Sequence, residues 1–528
     1  GLHVRTNGML GSFGMQRYTA SGGYTDTDGN YSVQAGFANQ STDGYRDQNF
    51  LSRQVIESRI EYNLKGEHRW SLFQLYSDLN YGIPGGLNLG QFHSDPTQAR
   101  PGNPFVLGSK AANASIDQQF ILLGGGHEFD SGAGFSIRNR VFMKHSDFEN
   151  PFNLDYKIDD RFSIGVRSVA AYRFSFDDAV SVVTAGIEFQ RADNTARNFE
   201  NDSSRAGSLN FEDELDLNSL IVFIKNEWIL QNGWTLNAGL SYNEFRYRIN
   251  RLEDNLSGNP GVVNRNFDPV FVPRIGFSYR LNPNNAVHAS ISYGFSAPTL
   301  EEVRTNEGSI NLNLKPENGI NYEVGLRGNN GNQKLSYDLA LFYFNLKDAI
   351  VQRESPRGTT LFANSGSTDQ WGLELSAGYL LHSNPRSFLS RAELQLSYTR
   401  HSFSFDEYIR NGTDFSGNEL TGVAPNILVG MLNVETRNNL YLRLSHNFTD
   451  RIPLDDANTV YADSYHLLQA RVGIRKVVFQ DYRMEIFLGS DNLLNQRYSL
   501  GNDINAFGDR FFQPAPDRNF FGGISFTF

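Results

Sequence analysis

The 528-residue sequence predicts an all-β fold: a transmembrane antiparallel barrel of roughly 22 strands, forming a single domain over residues 1–528. Three observations predict it. Apolar and polar residues alternate with period two from one end of the chain to the other. Short Gly/Asn/Asp turns take turns with long irregular segments, and the final strand is apolar on one face and ends on an aromatic residue.

The alternation is cleanest in four stretches. Val287, Ala289, Ile291, Tyr293 and Phe295 alternate with His288, Ser290, Ser292 and Gly294. Ile320, Tyr322, Val324 and Leu326 alternate with Asn321, Glu323, Gly325 and Arg327. Ala392 to Tyr398 and Leu468 to Ile474 repeat the pattern. A soluble β-sandwich also alternates, so the connections decide. Tight ones fall at 25–29, 65–67, 232–233, 282–285 and 329–333, and long ones at 81–115, 197–215, 253–271, 298–317, 406–422 and 501–516. One rim of short turns and one rim of long loops is the outer-membrane arrangement, with about 24 residues for each strand and its share of connection.

The longest apolar run is the six residues 339–344, against the roughly 18 that a membrane-crossing helix needs. A spanning chain must therefore cross with strands, whose lipid face occupies every second residue. The other face carries charges of both signs at Glu188, Lys225, Glu227, Glu323, Arg327, Glu374, Glu393, Arg443, Arg471, Arg475 and Glu485. These suit water or a polar domain inside the lumen. At the C-terminus Phe520, Ile524, Phe526 and Phe528 share one face, and that ending is similar to the signal read by the barrel assembly machinery. Residues 1–6 lack a signal-peptide pattern, so the chain is expected to begin after any targeting segment.

Composition excludes several functions. With no cysteine there is no disulfide framework, thiolate metal site or thiol nucleophile. The net charge of −11 argues against a nucleic-acid partner. No Gly-x-Ser-x-Gly elbow or phosphate loop occurs, and His127-Glu128 lacks the second histidine of a zinc motif, so no enzyme and no cofactor are expected. Asp26-Thr27-Asp28-Gly29-Asn30 resembles part of a calcium loop, but without the distal acid it is better read as a hairpin turn.

Two stretches resemble conserved boxes of the TonB-dependent outer-membrane receptors. The first is Ser292-Tyr293-Gly294-Phe295-Ser296-Ala297-Pro298 with Glu301, then Asn313-Leu314-Lys315-Pro316-Glu317 and Tyr322-Glu323-Val324-Gly325-Leu326-Arg327. The second is Asp491-Asn492-Leu493-Leu494-Asn495-Gln496-Arg497-Tyr498, leading to Pro514-Ala515-Pro516-Asp517-Arg518-Asn519. Ser41-Thr42-Asp43-Gly44-Tyr45-Arg46-Asp47 is similar to the second outer loop of that family. The resemblance implies a 22-stranded barrel in the outer membrane of a Gram-negative bacterium, in contact with lipid and lipopolysaccharide. It also implies active import, driven by TonB of the TonB-ExbB-ExbD complex, with a plug domain, coupling box and signal peptide that this chain lacks and that are expected to precede Gly1.

The segment from Tyr81-Gly82-Ile83-Pro84-Gly85-Gly86-Leu87 to Arg100-Pro101 resembles the third loop of ferric-citrate and ferric-siderophore receptors. An anionic ferric chelate wants guanidinium forks for its carboxylates and aromatic surface for its organic frame. Candidates in or beside long loops are Tyr45, Arg46, Phe92, His93, Arg100, Phe105, Arg161, Arg304, Arg357, Tyr408, Arg410, Phe507 and Arg510, with Phe511 nearby. Haem, cobalamin and oligosaccharide are alternative cargoes, although no histidine lies between Thr299 and Lys315 as haem receptors would have it. Copper is disfavoured by five Met and no Cys. A plugless diffusion pore is the alternative mechanism, and a soluble β-sheet binding protein the alternative class.

Overall fold

The computed structural model describes residues 1–528 apart from Lys65, Phe105, 257–260, Asn306, 355–359 and 480–481. Alternation becomes strand because each face of a pleated ribbon takes every second side chain. Within Asn285–Ser296 and Glu317–Asn329, Ala289 stands opposite Val324 and Ser290 opposite Glu323, so apolar meets apolar and polar meets polar across the ladder. A slip of one residue would send every one of these side chains to the wrong face.

Among the described residues, 23 strands join in one antiparallel sheet. Gly261–Asn266 and Val270–Asn282 both pair with Trp234–Asp254 and together make one interrupted stave, so the wall has 22. The last strand, Asn519–Thr527, pairs with the first, Leu2–Gly11, from Arg5 opposite Thr527 to Gly11 opposite Phe521. The sheet is thereby closed, and a sandwich of two open sheets is ruled out. Outward side chains are apolar and bare: Ile275, Ile291 and Val324 are each more than half exposed. Phe520, Ile524, Phe526 and Phe528 belong to this outward set. At the short-turn rim the outward residues are aromatic, among them Tyr24, Tyr62, Trp70 and Tyr172. Trp234 packs on Tyr279 and Tyr482 on Phe528 at centroid distances of 4.6 and 4.7 Å, as an interfacial girdle requires. Residues 26–30 form a tight turn, in which the Asp26 carboxylate accepts the Tyr31 N–H at 2.8 Å and Gly29 takes φ 71°.

The wall is uneven. Leu2–Gly11 has 10 residues and Ala206–Leu230 has 25; the longer would extend about 80 Å along its own axis at ~3.3 Å per residue. Together with Asp155–Ser175, Ala179–Asn201 and Trp234–Asp254 it rises well past the bilayer at the long-loop end. The expected loop over 197–215 is thus corrected: strands run through it and turn only at 202–205. The alternation inverts in meaning there, because above the membrane Glu212, Glu214 and Asp216 face water while Phe211, Asp213 and Leu215 face inward. Likewise the segment 253–271 contains the strand Gly261–Asn266, and 406–422 contains the hairpin Ile409–Arg410 with Thr413–Asp414.

The two faces make a direct test. Ile291→Arg should cost about 2–4 kcal/mol of refolding free energy in phospholipid bilayers, as charges do on the lipid face near the midplane. Ser290→Arg, one residue along and inward, should stay within about 0.5 kcal/mol. Equal costs would show that the two faces do not differ in this way.

Candidate functional site

At the long-loop end, three buried polar knots hold the loops. The first lies on the inner wall of the tall strands, where Asp213 is fully buried. Arg251 meets its carboxylate with two hydrogen bonds of 2.8 and 3.0 Å and reaches Asp254 at 3.2 Å. Arg304, from the loop 297–316, donates to the same carboxylate. Both guanidiniums lie over the Phe211 ring, 4.7 and 4.9 Å from its centroid. One carboxylate serving two flat cations around one ring fixes that loop against the wall. Apolar packing of Leu300, Val303 and Leu314 on Leu215, Tyr247 and Ile249 completes the contact. Beside it, Arg161 pairs with Asp159 at 2.6 Å and lies 4.7 Å from the Phe148 centroid.

Asp456 is the second knot, 1 % exposed. It accepts the Tyr408 hydroxyl at 2.8 Å, Arg410 at 3.2 Å, the Thr421 hydroxyl at 2.8 Å and the Asn505 amide at 3.0 Å. Arg353 donates to the Tyr408 oxygen and lies 3.8 Å from Asp456 through Nη1, which has no hydrogen-bond partner. Burial, then the charge of Asp456, raises the Tyr408 pKa, so its phenol stays protonated as a donor. Four connecting segments meet at this one carboxylate.

Arg46 makes the third knot. Its guanidinium donates to the Gln513 amide oxygen at 2.8 Å, the Gly85 carbonyl at 2.7 Å and the Gln98 carbonyl at 3.0 Å. Burial pulls its pKa down to about 10, which leaves it charged at neutral pH. Gly85 is required here: its φ is +76°, and a Cβ would sit 2.9 Å from the Arg100 side chain. Tyr45 donates to Asp517 at 3.1 Å, and burial with that carboxylate pushes its pKa up to about 12. Phe92 stacks on Phe512 at 5.3 Å in an apolar cluster with Leu454 and Phe511. The short helix Leu89–Ser94 that carries Phe92 is capped by Asn88 and Gln91.

The candidates from sequence therefore divide. Arg46, Arg100, Arg304, Phe92 and Tyr408 are buried among protein groups. His93, Phe507, Arg161, Arg410 and Arg510 keep surface at the mouth. Phe105 and Arg357 lie outside the described residues. Asp213, Arg251, Asp456 and Arg353 were not singled out from sequence. Period-two placement of Asp213 among inward Phe211 and Leu215 is the signal that could have found it. Nothing in the sequence marks Asp456 over Asp455.

Below the mouth, register places the charged set on the inner face. Glu485 meets Arg471 at 2.9 Å and Arg475 at 3.8 Å, and Arg475 reaches Glu435 at 3.2 Å. Glu188 pairs with Arg167 at 3.2 Å, Glu393 with Arg391 at 3.1 Å and Glu323 with His288 at 3.6 Å. Arg443 lies 5.3 Å from the Tyr441 centroid. Glu227 stands opposite Asn237, and Glu374 opposite Thr399.

Residues 6–493 match the family model described as TonB dependent receptor-like, beta-barrel. The iron-regulated outer membrane virulence protein of Vibrio cholerae is 24% identical over 310 residues, 53% of this chain and 44% of that protein. The chain thus spans less than half the length of this curated relative. The ferric citrate transporter FecA in its unliganded form superposes with a TM-score of 0.79 at 16% identity, covering 100% of this chain and 78% of that one. The siderophore receptor PiuA from Acinetobacter baumannii gives 0.78 at 16%, covering 100% and 82%. At these identities the superpositions establish the fold.

Asp213→Ala should leave Arg304 without its carboxylate and Arg251 with Asp254 alone, a loss of about 3–5 kcal/mol. Hydrogen exchange across 299–311 is expected to speed up a hundredfold or more, while the strand Asn285–Ser296 stays protected. Unchanged protection of 299–311 would show that the apolar contacts alone hold this loop.

Proposed function

Because the chain belongs to the TonB-dependent receptor β-barrel family, integral to the Gram-negative outer membrane, we propose that it imports an anionic ferric chelate, energised through TonB. The observation that carries this reading is the gathering of guanidiniums at the mouth with donor capacity to spare. Arg410 keeps 37% of its side chain exposed beside Asp456, and Arg510 is partly exposed with no ion-pair partner among the described residues. The names of the V. cholerae relative, FecA and PiuA support an iron cargo.

In this reading the chelate's carboxylates or other oxygens take up the free N–H groups of Arg410 and Arg510, with Arg161 also at the mouth, while Arg353 holds Tyr408 and Asp456 beneath them. Phe507, half exposed in the turn Phe507–Asp509, packs on the organic frame. Arg46, Arg100 and Arg304 act one step back, holding the loops that present those groups. A plug domain in the lumen, pulled by TonB, would open the path inward, while lipid, lipopolysaccharide and the assembly machinery meet the outward face and its terminal strand. The functional class is receptor and transporter.

Equilibrium binding of ferric citrate and of a ferric hydroxamate to the detergent-solubilised chain tests this. Arg410→Ala and Arg510→Ala should each weaken binding about ten- to a hundredfold, the worth of a charge-assisted hydrogen bond of about 1.5–3 kcal/mol. Full affinity in both variants removes these arginines from the site. Failure of the unsubstituted chain to bind either chelate removes the iron reading.

A further inference from the structure

Arg400 is a cation on the outward wall with no partner of its own. On the strand Leu389–Glu407 the outward set is Leu394, Leu396, Tyr398 and Arg400, since the alternate residues Glu393 and Thr399 face inward. Arg400 stands between Leu373 and Asn426 on the two neighbouring strands and is exposed. Among the described residues it makes no ion pair and no hydrogen bond. The carboxylates nearer the loops are already engaged: Asp450 accepts the Asn426 amide at 2.6 Å, Asp406 the Ser367 hydroxyl at 2.9 Å, and Asp369 the Tyr343 hydroxyl at 2.6 Å. An arginine on this face costs least near the membrane interface, where its fork can find phosphate. Trp371, more than half exposed and stacked on Tyr343 at 4.3 Å, marks that interface one strand away.

A second donor lies two strands on. Leu396 pairs with Gly430 and Gly430 with His446, so all three share the outward face. Nε2 of His446 meets Nδ1 of His466 at 3.2 Å, and the His466 ring lies 4.7 Å from that of Phe448. A neutral imidazole has one donor and one acceptor nitrogen, so whichever ring donates within the pair, one outer N–H is left over. Between this pair and Arg400 the wall is apolar and low, with Gly430 bare and Leu396, Leu428 and Leu432 around it. His446 is four residues along and two strands across from Arg400, about 16 Å at ~3.3 Å per residue and ~4.8 Å per strand. Its depth in the membrane is nonetheless similar. The ladder that reaches His446 starts at Gly328 beside a short turn and passes Tyr337, Ala377 and Leu396, so it climbs towards the long loops as it goes round. With strands tilted by about 35–45°, that climb returns most of the height that the four residues lose.

We propose that Arg400 and the His446–His466 pair bind one outer-leaflet lipid that carries two phosphate groups, its acyl chains lying over Gly430, Leu396 and Leu432. One phosphate takes the guanidinium fork and the other the free imidazole N–H, because a single phosphate does not bridge stations roughly 16 Å apart. Charge and depth select this occupant: unspent donors at the level of the headgroups meet phosphate, and the apolar strip below them meets hydrocarbon. The site belongs to the outer wall, so it is independent of the cargo and of whatever fills the lumen.

The test is native mass spectrometry of the detergent-purified chain, with diphosphoryl and monophosphoryl lipid A as the probes. The diphosphoryl form should be retained as a single copy and about tenfold more tightly than the monophosphoryl form, the worth of one charge-assisted contact. Arg400→Gln should weaken the diphosphoryl complex about tenfold and His466→Leu about threefold. Arg437→Gln, in the short turn at the opposite rim, should change nothing. Both test positions lie on the surface of the wall, and heat-modifiable mobility confines the count to folded barrels. Equal retention of the two lipid forms, or unchanged retention in both variants, overturns the proposal. So does an equal loss in Arg437→Gln, or full displacement of the lipid by millimolar inorganic phosphate. Chelate binding is read separately, so a chain that keeps this lipid and binds no chelate removes the iron reading alone.

Discussion

A strand edge in hydrocarbon has no water to satisfy its N–H and C=O groups, and each bare group costs several kcal/mol. The pairing of Leu2–Gly11 with Asn519–Thr527 removes the two edges that this sheet would otherwise carry. Every other feature depends on that closure. It joins residues about five hundred positions apart in sequence, and the Val4 amide and carbonyl both bond to Phe528. Closure also makes the two faces inequivalent, because one is pressed into lipid and the other lines the lumen. The period-two pattern then has only one register in which Ile291, Val324 and Ile524 all face out.

Above the bilayer the same sheet obeys a different rule. Its outward face meets water, so its apolar side chains move to the inside, where loops can cover them. The strands through 179–254 gain from this an inner ledge of Phe211, Leu215, Tyr247 and Ile249, on which the loop 297–316 rests. Buried ion pairs such as Asp213 with Arg251 and Arg304 add little net stability, because desolvation offsets most of their attraction. They do penalise any arrangement that leaves a partner behind. Asp456 works in the same way for the segments around 353, 408–421 and 505. Loops held by such knots keep a defined shape while remaining separable as units, which a receptor mouth requires.

Much of the wall was legible in the sequence, since alternation, turn residues and the terminal aromatic face are local signals. The inward charges from Glu188 to Glu485 follow from the same arithmetic of every second residue. Where the environment changed, the reading failed: polar residues of 197–215 signalled a loop because the bilayer was assumed to end the strands. The site was less legible. A loop arginine looks the same in sequence whether it is sealed like Arg46, with its donors on Gly85, Gln98 and Gln513, or open like Arg410. That difference is made by segments distant in the chain, and only their meeting decides it. Asp456 is a clear case, since its partners come from three separate connections and none lies within 30 residues.

Charge follows the same logic of face. A barrel wall gives each charged residue two destinations, and this chain uses both: Arg167 and Glu188 face the lumen, while Asp216 and Arg248 face outward above the membrane. The outward set lies where water screens it within about 10 Å, so it costs little and reaches little. The inward set lies where field lines are confined and screening is weakest. Inward charges are therefore paired along the wall, as Glu485 is with Arg471 and Arg475, and Glu188 with Arg167.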